Sequence, residues 1–224
     1  LQFPLKWESK SATTGRIVDI IPCLYQESMR IGLTGSFGSG KTTISEFFRE
    51  YGARIIDADE IAREITKKRS EACRKIIRAF GEEFYNPDQS LNRKKLAAFV
   101  FSNPKALKKL EQIVHPLVRK RELELLEQYK QDPLVVLSVP LLFEKKLDAF
   151  VDKVVVVALS KEERYKRIGR NYGLSRKEID ERLNNQMPQE EKILRADYVI
   201  DNNGSLKESQ IQVKRLIEKF IAIQ

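Results

Sequence analysis

Between residues 35 and 42 the chain reads Gly-Ser-Phe-Gly-Ser-Gly-Lys-Thr, an order of residue types suited to holding a row of phosphates. It fits G-x-x-x-x-G-K-[ST] in full. Glycines let successive backbone N–H groups turn inward on anionic oxygens, and a helix starting at the loop adds the positive end of its dipole. On this reading Gly38, Ser39, Gly40, Lys41, Thr42 and Thr43 bind ATP. The Lys41 ammonium reaches the β- and γ-phosphates, and the Thr42 hydroxyl ligates Mg²⁺. The alternative is a glycine-rich strand-to-helix turn that binds nothing. The flanks favour the phosphate loop, because Arg30–Thr34 reads as an apolar strand and Lys41–Tyr51 as a helix.

A second group of reactive side chains follows in Ile55-Ile-Asp57-Ala-Asp59, with Arg63 four residues further on. A strand over Ala53–Asp57 would deliver both aspartates to the carboxyl edge of a parallel sheet, where ligands collect. Asp59 could there orient or deprotonate a hydroxyl facing the γ-phosphate, and Arg63 on the same helix face could fix an anionic acceptor. Spacing alone leaves equally open an N-cap aspartate with an i,i+4 ion pair. Asp57, at the end of the strand, is expected to act mainly through folding.

These residues meet only if strands and helices alternate around them. Leu134–Val139 and Lys153–Leu159 are continuous apolar runs, as buried parallel strands require. Tyr198–Asp201 reads as a last strand and Leu206–Ile221 as a closing amphipathic helix. A charged, largely helical stretch runs from Asp59 to Lys130, punctuated by Asn86-Pro87, Asn103-Pro104 and His115-Pro116. A basic helical stretch spans Lys161–Leu194. The expected fold class is α/β, with a parallel sheet of about five strands and helices on both faces. Residues 29–224 form one domain, with a helical insertion over about 60–132 and a helical lid over about 161–194. Residues 1–28 read as a leader or an extra N-terminal segment.

Composition narrows the function classes. Of 224 residues, 42% are hydrophobic and 33% charged, which suits a packed domain and not a disordered chain. No apolar run approaches the roughly 18–20 residues of a membrane span. Cys23 and Cys73 have neither metal-site nor CxxC spacing, which points to a reducing, cytoplasmic setting. His115 is the sole histidine, so no mechanism can rest on a histidine pair. The net charge of +9 suits anionic partners without choosing between nucleic acid and a polyphosphate ligand. Basic clusters at residues 67–69 and 164–170 feed a nucleic-acid-binding ATPase reading, but Tyr165 alone among aromatics is interleaved with these charges, too little for a stacking platform. The guanine-binding pattern N-K-x-D does not occur. A small-molecule kinase with a mobile lid fits better, and a nucleoside monophosphate is the rival acceptor.

Residues 31–43 (I-G-L-T-G-S-F-G-S-G-K-T-T), followed by I-D-A-D-E-I-A-R ending at Arg63, resemble the opening of the dephospho-CoA kinase family. Further matches follow in the family's order: His115-Pro-Leu-Val-Arg119, Val139-Pro-Leu-Leu-Phe-Glu144, Arg182-Leu-Asn-Asn-Gln186-Met-Pro and Ala196-Asp-Tyr-Val-Ile-Asp-Asn202. The resemblance covers essentially Met29 to Phe220. It implies ATP-dependent phosphorylation of the ribose 3′-hydroxyl of dephospho-CoA, with Mg²⁺ as cofactor and neither nucleic acid nor membrane as partner. It implies Lys41 and Asp59 as catalytic residues, and a CoA-binding role for the helical insertion. Arg63, His115, Arg119, Leu141, Leu142 and Glu144 become substrate contacts, although core packing accounts equally for the two leucines. Arg164, Arg167 and Arg170 precede Asn171-Tyr-Gly173, so the closing lid arginine is displaced by a residue or two from the family's pattern. Arg170 is the arginine expected on the ATP phosphates.

Overall fold

The computed structural model describes residues 28–67, 69–88 and 90–223, so the leader or extra segment expected over 1–28 lies outside the described residues except for Ser28. Five strands form one sheet: β1 (Met29–Thr34), β2 (Arg54–Asp57), β3 (Leu134–Ser138), β4 (Lys153–Ala158) and β5 (Tyr198–Asp201). All pairs are parallel, in the order β2-β3-β1-β4-β5. Register levels the carboxyl ends of the three strands that matter most, since Ser138 pairs with both Leu33 and Asp57.

The apolar runs are continuous because each strand faces a core on both sides. Leu134, Val136, Val155 and Val157 enter one core with Ile44 and Phe48 of α1 (Lys41–Glu50) and Val213 and Ile217 of α9 (Leu206–Ile223). Val135, Leu137, Val154 and Val156 enter the other. There they meet Ile61 of α2 (Ala58–Ile65), Val118 and Leu126 of α5 (Pro104–Gln128) and the partly buried Ile193 of α8 (Gln189–Arg195). Helices α3 (Glu71–Phe80) and α4 (Arg93–Phe101) pack on α5 around a separate small core of Ile76, Phe84, Leu96, Val100 and Ala106. Helices α6 (Lys161–Tyr172) and α7 (Arg176–Leu183) follow β4. Among the described residues no helix is long and apolar enough to cross a membrane.

One punctuation mark in the sequence does not act as one. Pro116 lies inside α5, which continues for twelve residues beyond it to Gln128. A proline there supplies no N–H to the preceding turn and normally breaks or kinks a helix. Packing of α2, α3 and α4 along α5 holds the helix through the fault, so tertiary contacts override the local signal.

Phe48 is wholly buried between the sheet and α9. Phe48→Ala is therefore expected to lower unfolding free energy by about 3–5 kcal/mol in urea titration. A loss below about 1 kcal/mol would mean that this face of the sheet is not the main core.

Candidate active site

The sheet's carboxyl edge concentrates charge where water is scarce. The ammonium of Lys41, the first residue of α1, donates to Ser138 Oγ at 2.9 Å and lies 3.8 Å from Asp57 Oδ2. Both charged side chains are only 9% exposed. The Ser138 hydroxyl donates to Asp57 Oδ2 at 3.2 Å, and the Ser45 hydroxyl, one α1 turn from Lys41, donates to Ser138 at 3.0 Å. Asp57 does a second task with its other oxygen. Oδ1 accepts the backbone N–H groups of Asp59 (2.8 Å) and Glu60 (3.1 Å), capping α2. One carboxylate thus starts the helix that carries Asp59 and faces the loop lysine.

The phosphate loop is braced from the opposite side by Asn202, which is almost fully buried just beyond β5. Its Nδ2 donates to the Ser39 carbonyl at 2.7 Å, while its Oδ1 accepts the Ser209 hydroxyl at 2.7 Å. Arg167 of α6 donates to the Asn202 carbonyl at 2.9 Å. At the loop's outer turn the Phe37 N–H donates to Gln186 Oε1 at 3.0 Å. The Phe37 ring meets Tyr172 of α6 at 5.4 Å and the Arg182 guanidinium of α7 at 5.2 Å. The Ser39 hydroxyl is buried without a hydrogen-bond partner among the described residues.

Gly38, Ser39, Gly40, Lys41, Thr42 and Thr43 line one cavity of about 470 Å³, which Asp59 and Pro140 also border. Asp59 is exposed, and its carboxylate has no hydrogen-bond or ion-pair partner among the described residues. Arg167 lines this cavity, whereas Arg170, the arginine chosen from sequence, is exposed on α6 and lies outside that lining. His115, Arg119 and Glu144 share a different cavity of about 480 Å³ with Glu122, Lys145 and Lys146. Arg119 donates to the Lys145 carbonyl at 3.3 Å. Burial, followed by the positive charge of Lys145, pushes the His115 imidazole below the usual histidine range. Burial likewise raises the carboxyl of Glu122 and lowers the ammonium of Lys145, although their mutual attraction opposes both shifts.

A third cavity of about 300 Å³ lies within the helical stretch, walled by Ala62, Ile76, Leu96, Val100, Leu110 and Val114, with Arg93, Glu111 and His115 among its polar lining. Arg63 is exposed on α2, where its charge adds to burial in lowering the Arg93 guanidinium. Leu142 is fully buried and packs against Gly32, and Leu141 is half-buried beside it. The sequence did not single out Ser138, Ser45, Asn202 or Phe37, and it offered Arg167 among the lid arginines while favouring Arg170. Ser138 had a signal, a lone hydroxyl closing an otherwise apolar strand, and Asn202 ended a quoted motif.

Comparison with known proteins follows the same boundaries. The family model described as dephospho-CoA kinase matches residues 29–208. The dephospho-CoA kinase of Bacillus cereus is 41% identical over 192 residues, covering 85% of this chain and 96% of the relative. Among solved structures, TT1252 from Thermus thermophilus superposes with a TM-score of 0.71 at 37% identity, covering 87% of this chain and 98% of that one. Dephospho-CoA kinase from Campylobacter jejuni superposes with a TM-score of 0.65 at 29% identity, covering 86% and 97%.

Gly40 has φ +91°, and a Cβ there would meet Asn202 Nδ2 at 2.2 Å. Gly173 also has positive φ, +64°, but a Cβ would meet nothing within 4 Å. Gly40→Ala is expected to weaken ATP binding at least about tenfold, roughly 1.4 kcal/mol, by calorimetric titration. Gly173→Ala should leave binding unchanged. Equal effects from the two would refute the role of Asn202 as a brace on the loop.

Proposed function

The chain belongs to the dephospho-CoA kinase family, and we propose that it phosphorylates dephospho-CoA in the cavity bordered by the phosphate loop and Asp59. This ATP-dependent transfer is the final step of coenzyme A biosynthesis. One observation carries the location: a carboxylate with no partner among the described residues borders the same 470 Å³ space as the loop lysine.

In this reading ATP lies along Gly38–Thr43, with the loop N–H groups and Lys41 on its phosphates. The cavity that Thr42 lines is also bordered by the Thr43 hydroxyl and the Asp59 carboxylate, oxygen ligands of the kind suited to Mg²⁺, which keeps phosphate and water ligands for most of its shell. Thr42 would hold the ion, which when bound neutralises charge on the phosphates. Asp59 takes the proton of the ribose 3′-hydroxyl as that oxygen attacks the γ-phosphorus. The bond to the bridging oxygen breaks in line and ADP leaves. Lys41 moves from Ser138 and Asp57 towards the phosphates, so the buried pair serves as its resting place between turnovers.

The acceptor's remaining parts have candidate seats. His115, Arg119 and Glu144 border a cavity of mixed charge, and the exposed Arg63 of α2 suits an anionic acceptor. Neutral His115 can both donate and accept a hydrogen bond at that boundary. The apolar cavity of the helical stretch suits the thin pantetheine arm. Leu141 and Leu142 shape the connecting loop by packing. We assign the insertion to about residues 60–132 and the lid to about 161–194, with Arg170 closing on the phosphates and Arg167 already lining the phosphate-loop cavity. Closure excludes water and limits wasteful hydrolysis. The free, buried Cys73 fits a cytoplasmic location.

Asp59→Asn keeps shape but cannot take a proton, so it is expected to cut kcat by at least about 10²-fold with little change in KM for ATP. Asp57→Asn retains an N-cap and should act mainly on stability. ADP release at saturating dephospho-CoA, with thermal melts for both variants, checks this. Normal turnover by Asp59→Asn would show that another group takes the proton.

A further inference from the structure

Lys192 on α8 is a fully buried cation outside both lysine and arginine roles described so far. Its ammonium lies 3.0 Å from Glu144 Oε1 and donates to the Pro140 carbonyl at 2.7 Å. The same Glu144 oxygen accepts the Met187 N–H at 2.8 Å. The Pro140 carbonyl also accepts the Thr34 hydroxyl, from the end of β1, at 3.1 Å. Gln186, adjacent to Met187, holds the Phe37 N–H of the phosphate loop. Gln189, on the first turn of α8, accepts the Leu159 N–H at 3.0 Å and also takes Arg164 of α6, so the two ends of the α6–α7 stretch are pinned together.

Residues 186–192 therefore touch three parts of the site at once: the phosphate loop through Phe37, the end of β1 through Pro140, and the loop over 140–144 through Glu144. Pro140 borders the first cavity and Glu144 the second, while Lys192 borders neither. Burying an ammonium costs several kcal/mol, and a matching carboxylate repays it without adding much net stability. An apolar pair of similar volume would hold the fold as well. What the charged pair supplies is fixed geometry, because it orients the Glu144 carboxylate and the Pro140 carbonyl by hydrogen bonds that an apolar pair lacks.

We propose that Lys192 is a positioning residue for phosphoryl transfer, acting through Glu144 and Pro140 to hold the acceptor loop and the trailing end of the lid in register with the phosphate loop. The inference rests on the cavity assignments of the proposed function. A register error of about 1 Å between donor and acceptor is enough to cost 10²-fold in rate. Water then competes with the acceptor for the γ-phosphoryl group, so misplacement shows as ATP hydrolysis without acceptor phosphorylation.

The test measures kcat, KM and the ratio of ADP formed to acceptor phosphorylated in the full chain, for Lys192→Met, Lys192→Arg, Glu144→Gln and the Lys192→Met/Glu144→Gln pair. Wild-type turnover of dephospho-CoA is measured alongside, and its absence would refute the proposed function, not this inference. Lys192→Met is expected to melt as a folded protein and lose about 10- to 10²-fold in kcat, with the ADP ratio rising above one. Lys192→Arg should recover most of the coupling. Adding Lys192→Met to Glu144→Gln should change little, as expected of residues acting in one chain of contacts. If Lys192→Met does not fold, the neutral double variant carries the test, since it leaves no uncompensated buried charge. A folded Lys192→Met or double variant with wild-type kcat and an ADP ratio of one would overturn the proposal, as would full additivity in the cycle.

Discussion

The structure depends on one buried cation. The Lys41 ammonium is buried at the sheet's carboxyl edge, and a desolvated ammonium needs a counter-charge close by. Asp57 and Ser138 supply it from the ends of β2 and β3, strands whose register places the two residues opposite each other. Because Asp57 also caps α2, the same carboxylate fixes the first turn of the helix that presents Asp59. Strand order, helix start and lysine position are thereby linked through a handful of atoms. A slip of one residue in the β2–β3 pairing would move Asp57 off the lysine and turn the strand's buried side chains to the other face.

Much of the scaffold was legible because it obeys local rules. The strand runs were recognisable from their unbroken apolar composition, and their boundaries fall within a residue or two of those observed. The phosphate loop was legible because its chemistry is local: eight consecutive residues contain its donors and its hinge glycines. Its supports were not legible, since they come from far along the chain. Lys41 and Ser138 are 97 residues apart, and Asn202 and Ser39 are 163 apart. No periodicity records such pairings. Pro116 shows the converse, a strong local signal overruled by packing on three neighbouring helices. The double duty of Asp57 was equally invisible, because spacing reports that a residue can cap a helix but not what its second oxygen faces.

Charge is distributed unevenly around the site. On the phosphate-loop side the cations are few and oriented: Lys41 on its serine and carboxylate, Arg167 on the Asn202 carbonyl. On the α5 side, burial pushes the His115 imidazole and the Lys145 ammonium down and the Glu122 carboxyl up from their usual ranges. The excess positive charge of the whole chain thus says little about either site.

The most direct measurement of the central claim is product identification by mass spectrometry and ³¹P NMR after incubating wild type and Lys41→Ala with Mg·ATP and dephospho-CoA. Wild type is predicted to give ADP and an acceptor carrying one new phosphate on the ribose 3′-oxygen, and Lys41→Ala to give neither at a comparable rate. ADP without a phosphorylated acceptor from wild type, or a Lys41→Ala protein that retains most of the wild-type rate, would contradict the account.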